Sequence, residues 1–72
     1  MKTQLRKLQL LMKIFDADDF YLIRLNEHII FFQGCYSAEL AEKYEKICKS
    51  RFVKNSIGHW DIVKNNINIT LT

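Results

Sequence analysis

The chain has 72 residues, a length that allows one domain with one core and leaves no room for a large enzyme cleft. Hydrophobic residues make up 49% and charged residues 26%, a globular balance that excludes disorder. The net charge of +3 is too small to indicate nucleic-acid binding by itself. No apolar run approaches the ~18 residues of a transmembrane helix. The N-terminal segment is basic and apolar but has no signal-peptide cleavage site, which predicts a mature protein in the cytoplasm that does not associate with a membrane.

The first predicted element is a helix over about residues 3–15. Its apolar side chains recur at helical spacing and share one arc: Leu5, Leu8, Leu11, Met12 and Phe15. Leu10 and Ile14 add a second apolar strip beside this arc. The apolar surface is wider than one contact requires, so we expect this helix to touch two other surfaces.

The rest of this helix carries a basic strip formed by Lys2, Arg6, Gln9 and Lys13. Residues 1–15 contain four Lys or Arg residues and no acid. Such a strip can contact phosphates, which predicts weak and salt-sensitive binding of nucleic acid. A solvated helix face is the more ordinary interpretation of the same residues.

Two β-hairpins are predicted over residues 20–33 and 59–72, each from two β-rich runs joined by a two-residue turn. The turns are Asn26-Glu27 and Asn65-Asn66, and asparagine tolerates the positive φ of a type I′ turn. Between the hairpins, Ser37 is an N-cap for a second helix over about residues 38–51. The predicted fold class is α+β: a two-layer, single domain over residues 1–72, helix–β-hairpin–helix–β-hairpin, with a mainly antiparallel sheet.

The two hairpins differ on one face. Alternation gives both an apolar inner face, which we expect to form the core with the second helix. That predicted face is Tyr21, Ile23, Ile30, Phe32, Trp60, Ile62, Ile69 and Leu71. The other face is mostly polar in the second hairpin, whereas in the first it carries Phe20, Leu22, Ile29 and Phe31. This patch is too large to leave in water, so either the first helix or another chain should cover it.

Motifs that carry chemistry are weak in this sequence. It has no P-loop, GxGxxG, HExxH or GxSxG pattern. The spacing of Cys35, Cys48, His28 and His59 matches no zinc site, so no metal or cofactor is predicted. His59 and Asp61 lie two residues apart, as a general base and its partner would require, although the polar outer face of a hairpin also accounts for them. We therefore predict no catalytic residues and no enzyme.

One segment invites comparison with a known family. A helix is followed by the β-rich residues 20–24, and His28 then leads into the apolar residues 29–31. Over residues 5–33 this order resembles the start of HicA-type toxins, which are small mRNA-cleaving proteins. The resemblance implies a fold like that of double-stranded-RNA-binding domains and a catalytic strand histidine at His28.

The sequence thus favours a non-catalytic protein-interaction module. Its partner would be another protein or a second copy of the chain, bound through the outer face of the first hairpin at Phe20, Leu22, Ile29 and Phe31. Weak nucleic-acid binding through the basic first helix is the alternative, and a HicA-like RNase is a distant third.

Overall fold

The computed structural model describes residues 2–72, with side chains from residue 5 onward. This part of the chain forms two α-helices, one 3-10 turn and five strands, which confirms the α+β class. The helices are α1 (Lys2–Leu11) and α2 (Ala38–Cys48), and the 3-10 turn is Ala17–Asp19. The strands are β1 (Leu22–Leu25), β2 (Ile30–Gly34), β3 (Val53–Lys54), β4 (Trp60–Lys64) and β5 (Ile67–Leu71).

All five strands belong to one sheet in the order β1-β2-β5-β4-β3. The β1–β2, β4–β5 and β3–β4 pairs are antiparallel, whereas β2 and β5 are parallel. The parallel pair joins the two hairpins at the centre of the sheet. The short strand β3 lies in a segment that the sequence predicted to be a plain connection, and it extends the second hairpin by one strand.

The loop of the first hairpin is wider than predicted. Leu25 pairs with Ile30, so the loop covers residues 26–29 and the predicted two-residue turn is wrong. The side chain of Asn26 accepts hydrogen bonds from the backbone N–H groups of His28 (2.8 Å) and Ile29 (2.6 Å). These bonds close the wider loop and need no positive φ at Glu27. Because the register moves by two residues, the inner and outer faces of both strands stay as predicted.

The second hairpin has the predicted turn. Lys64 pairs with Ile67, which leaves Asn65 and Asn66 as a two-residue loop with φ values of 51° and 66°. Both values lie in the left-handed region that a type I′ turn requires. Asparagine reaches this region at lower cost than most residues, so the local sequence is sufficient to specify this turn.

The core forms on the inner face of the sheet, where side chains of both helices meet it. The fully buried large side chains are Ile30, Phe32, Tyr44, Ile62, Ile69 and Leu71. The Phe32 ring of the sheet and the Tyr44 ring of α2 each pack against Phe15 and Phe20, with ring centroids 5.0–5.1 Å apart. Aromatic pairs in tilted and edge-on contact contribute about 0.5–1.5 kcal/mol each beyond their buried area.

The burial of Phe20 and Tyr21 is the reverse of what the sequence predicted. Phe20, assigned to the outer patch, is only 9% exposed and lies in the core, whereas Tyr21, assigned to the core, is 59% exposed. The reason is that Phe20 ends the 3-10 turn, with its N–H donating to the carbonyl of Ala17. The strand begins only at Leu22, so the period-2 alternation does not extend back to these two residues.

The helix α1 is shorter than predicted and packs on the inner face. It ends at Leu11 and continues as a turn that brings Phe15 into the core. Its arc of Leu8, Leu11 and Met12 packs against the buried cluster. The described part of α1 therefore covers the inner face of the sheet and not the outer patch of the first hairpin.

Candidate interaction surface

The outer face of the sheet is defined by residues that alternate with the core positions. Strand register arranges them in two rows that cross the sheet. The first row is Arg24, Phe31, Asn68 and Val63, and the second is Leu22, Gln33, Thr70, Asp61 and Val53. We call these nine positions the outer face. The parallel β2–β5 pair makes the faces of the two hairpins continuous.

Large apolar side chains flank this face on both sides. On the first hairpin, Leu22 is 42% exposed and Phe31 is half-buried. On the other side, Val53 and Val63 are 67% and 68% exposed. A polar stripe of Asn68 and Thr70 on β5 separates the two sides. The apolar part of the outer face is therefore broader than the first hairpin alone.

Sequence reasoning missed Val53 because it did not predict β3. A local signal for this strand does exist. The buried Phe52 precedes Val53, and the side chain of Asn55 accepts hydrogen bonds from the N–H groups of Ile57 and His59. Together with Gly58 at a φ of 89°, these residues form the loop that returns the chain to β4.

Charges of both signs lie on the outer face. The guanidinium of Arg24 lies 5.0 Å from the centroid of the Phe31 ring, a cation–π contact that shields part of this ring. Asp61, on the other side of the face, accepts hydrogen bonds from the Thr70 hydroxyl (2.7 Å) and the Asn55 amide (2.9 Å). The cation and the anion are thus held on opposite sides of one surface.

The structure brings together three of the four residues predicted to form the outer patch. Leu22 and Phe31 lie on the outer face, and Ile29 continues this face by alternation as a half-buried residue of the β1–β2 loop. Phe20 does not belong to the patch, because it lies in the core.

The predicted basic strip is exposed where the structure describes it. Arg6, Gln9 and Lys13 are all exposed on or just after α1, while the side chain of Lys2 lies outside the described residues. Lys7, next to Arg6 in the chain, donates a 2.6 Å hydrogen bond to the carbonyl of Asn65 in the β4–β5 turn. This bond ties α1 to the second hairpin.

The residues considered for chemistry do not converge. His28, expected on a strand from the resemblance to HicA-type toxins, lies exposed in the β1–β2 loop, 4.0 Å from Glu27. The fold implied by that resemblance is also not observed, because α2 is followed by three further strands. Asp61 is held by Thr70 and Asn55. Within residues 2–72, no three His, Cys, Asp or Glu side chains are grouped closely enough to hold a metal ion.

The two cysteines are free thiols in different environments. Cys35 is exposed, and Cys48 is half-buried at the end of α2. Burial raises the pKa of the Cys48 thiol, although the nearby Lys64 ammonium acts in the opposite direction. Because the thiolate is the reactive form, we expect Cys48 to react more slowly with alkylating agents than an ordinary exposed thiol.

A partly exposed polar cluster connects the 3-10 turn to α2. The carboxylate of Asp19 accepts hydrogen bonds from the Lys43 ammonium (2.7 Å) and the Tyr44 hydroxyl (2.8 Å). The bond from Lys43 is the main reason that the pKa of Asp19 is lowered. Burial raises the pKa of the Tyr44 phenol, which therefore remains a neutral donor. This cluster positions the turn that carries Phe20 into the core.

Comparison of the chain with protein-family models, curated proteins and solved structures finds no match. Neither helix in the described residues is long and apolar enough to cross a membrane.

Proposed function

We propose that the chain is a non-catalytic protein-interaction module that forms an isologous dimer through the outer face of its sheet. One observation carries this proposal. In the described part of the chain both helices pack on the inner face, so the apolar side chains of Leu22, Phe31 and Val63 have no helix over them. Several exposed apolar side chains grouped on one uncovered sheet face are characteristic of interfaces.

The arrangement of charges supports a second copy of the chain as the partner. Two antiparallel or mixed sheets pack face to face with their strands nearly aligned. A two-fold axis along the strands, between β2 and β5, lays β1 of one copy over β4 of the other. The row of Arg24 then faces the row of Val63 in the partner, and the partner's Asp61 lies two residues further along β4. The long Arg24 side chain would span this offset to pair with that carboxylate, and the two Phe31 rings lie on either side of the axis. The Arg24–Asp61 contact occurs twice, and the contact between the two Phe31 rings occurs once across the axis, as isologous symmetry requires.

The test is the mass in solution of the Phe31→Lys variant. We expect wild type to have twice the chain mass of 8.6 kDa and the variant to be a folded monomer, because two buried ammonium groups near the axis cost several kcal/mol. Light scattering measures the mass, and circular dichroism checks folding. The matched control is Ile57→Lys, which adds the same charge at a residue that is 73% exposed in the β3–β4 loop and should leave the dimer intact.

A wild-type chain that stays at 8.6 kDa as its concentration is raised would contradict the dimer. A dimeric Phe31→Lys variant would contradict the assigned face. If this variant does not fold, Val63→Lys replaces it, because Val63 is 68% exposed and tolerates a charge in the monomer.

A second candidate function is weak nucleic-acid binding by α1, which the shared exposure of Arg6, Gln9 and Lys13 favours. Few charges are involved, so binding should weaken steeply with salt. A gel-shift titration at low salt with single-stranded and duplex probes tests it, and an Arg6→Glu/Lys13→Glu double variant should abolish the complex. Absence of any complex with wild type at low salt would exclude this function and leave the dimer proposal unaffected.

A further inference from the structure

A small apolar cavity opens to solvent on the inner-face side of the sheet. It lies between the end of α1, the last turn of α2 and the β4–β5 hairpin, with a volume of about 140 Å³. Its apolar lining is Leu11, Ile14, Phe15, Ile47, Ile62 and Ile67. Most of these side chains belong to the core or pack against it, so the cavity is a gap in the core that reaches the surface.

The size of this cavity suits a ligand group of about six carbon atoms. Cavities of about 150 Å³ lined by Leu, Ile and Phe stay dry and bind benzene in another protein. Side chains around such a void lack dispersion contacts on one side. An apolar group that enters it restores those contacts and leaves water at the same time.

The mouth of the cavity is positively charged. Lys64 lines it, and its ammonium donates hydrogen bonds to the carbonyls of Cys48 (2.9 Å) and Lys49 (3.3 Å) at the end of α2. An ammonium has three donors, so one N–H of Lys64 remains for a ligand. Lys7 does not line the cavity, but its ammonium donates a 2.6 Å hydrogen bond to the carbonyl of Asn65, which does. A second positive charge therefore lies next to a lining residue. Among the described residues that line the cavity, none carries a carboxylate.

We propose that this cavity binds a small free monocarboxylate with an apolar tail of about six to eight carbons. The tail lies among Leu11, Phe15 and Ile62, and the carboxylate pairs with Lys64 and Lys7 at the mouth. Lys64 also neutralises the carbonyl end of α2, which would otherwise repel an anion. The site is on the inner-face side, so it is independent of the proposed dimer surface.

Binding is tested by titrating the full chain with octanoate and following backbone amide shifts by NMR. We expect saturable shifts confined to the residues of the cavity. Octanol, which has the same tail without charge, should bind more weakly, and octylammonium should bind most weakly of the three. Butanoate, which keeps the charge but has too short a tail, should not saturate the site. Equal or tighter binding of octylammonium, or octanoate shifts spread over the outer face, would overturn the proposal.

The contribution of the Lys64 ammonium to octanoate affinity is tested by Lys64→Gln. Lys54→Gln on β3 is the matched control. Loss of a charge-assisted hydrogen bond should weaken octanoate binding about tenfold, whereas the control should bind as wild type does. Circular dichroism verifies folding of both variants. If Lys64→Gln does not fold, Lys7→Gln takes its place with the same expected direction. Unchanged octanoate affinity in a folded Lys64→Gln variant would overturn the assignment of the carboxylate to this mouth.

Cys48 supplies an independent readout, because its half-buried thiol lines the cavity. In a Cys35→Ser background, which removes the exposed thiol, octanoate should slow alkylation of Cys48 by iodoacetamide several-fold. Butanoate at the same concentration is the control and should have no effect. An alkylation rate that saturating octanoate leaves unchanged would contradict occupation of the cavity.

Discussion

Tyr44 shows how a single side chain can hold distant segments together. Its ring is fully buried among Phe15, Phe20 and Phe32. Its hydroxyl accepts a hydrogen bond from the N–H of Asp16 (3.0 Å) and donates one to Asp19. A buried hydroxyl must be paired in this way. The helical spacing of Leu40, Tyr44 and Ile47 is enough to predict a core position for Tyr44, but the partners of its hydroxyl depend on the tertiary fold.

Tyr44→Phe should lower the free energy of unfolding by about 1–3 kcal/mol, because two part-buried hydrogen bonds are lost and each contributes about 0.5–1.5 kcal/mol. The N–H of Asp16 loses its acceptor, and Asp19 Oδ2 keeps only its bond from Lys43. Urea denaturation measures the change. Tyr36→Phe is the control, since Tyr36 is exposed and its loss should stay within about 0.5 kcal/mol. Equal effects of the two variants would contradict a specific role of the Tyr44 hydroxyl.

Asp19 should make the stability of the protein sensitive to acid. Its pKa in the folded chain lies below the ordinary value of 3.8, so the unfolded chain binds the proton more tightly. The stabilisation from Asp19 is therefore fully present above 3.8 and is lost as the pH falls through the lower folded pKa.

The melting temperature of wild type should accordingly fall more steeply below about pH 4 than that of Asp19→Asn. Thermal melts followed by circular dichroism across this range provide the comparison. Asp18→Asn is the matched control, because it removes a neighbouring carboxylate whose side chain is exposed, and it should keep the steep decline. Parallel acid profiles for wild type and Asp19→Asn would show that the Asp19–Lys43 pair contributes nothing to folding.

At the scale of elements, α2 was predicted better at its start than at its end. The Ser37 hydroxyl accepts a 3.0 Å hydrogen bond from the N–H of Leu40, as predicted for an N-cap. The helix ends three residues earlier than the predicted residue 51, at Cys48, because Lys49 takes the left-handed conformation with a φ of 53°. No glycine marks this stop, so the sequence did not signal it.

Lys49→Gly should stabilise the protein by about 1 kcal/mol, because glycine adopts this φ without the cost that a side chain imposes. The opposite sign is expected for Lys46→Gly within the same helix, which should cost about 0.5–1 kcal/mol. Urea denaturation of both variants tests the pair. Destabilisation by Lys49→Gly would mean that contacts of the lysine side chain outweigh the backbone cost.

The two hairpin turns explain why one register was predicted correctly and the other was not. Asn65 and Asn66 both accept positive φ, so two residues suffice for the turn. In the first hairpin Glu27 is a poor second turn residue. The loop is longer, and the hydrogen bonds that the Asn26 side chain accepts close it. The alternation of buried and exposed positions survived this difference, because the shift of two residues matches the period of a strand.

At the scale of the whole molecule, the last strand is the central one. β5 pairs with β2 on one side and with β4 on the other, so it connects two parts of the sheet that are otherwise separate. Ile69 and Leu71 of β5 are fully buried. Loss of this strand would both remove these two side chains from the core and divide the sheet into two parts.

A fragment of residues 1–64 should therefore lack a cooperative thermal unfolding transition, whereas the full chain should unfold in one step. Circular dichroism at increasing temperature provides the measurement. Full-length Val63→Ala is the control, since it alters an exposed residue beside the cut and should keep the transition. Cooperative unfolding of the fragment would show that the first hairpin and the helices form a core without β5.

Residues close together in the chain are sufficient to specify the alternating faces of the strands, the start of α2 and the Asn65-Asn66 turn. Long-range packing, in contrast, selects the pairing of β2 with β5, the burial of Phe20 and the position of α1 on the inner face. Backbone hydrogen-bonding groups are alike in every strand, so alternation identifies the buried face but not the neighbouring strand. The same apolar pattern on α1 is compatible with either face of the sheet, and competition between whole arrangements of the chain selects one of them.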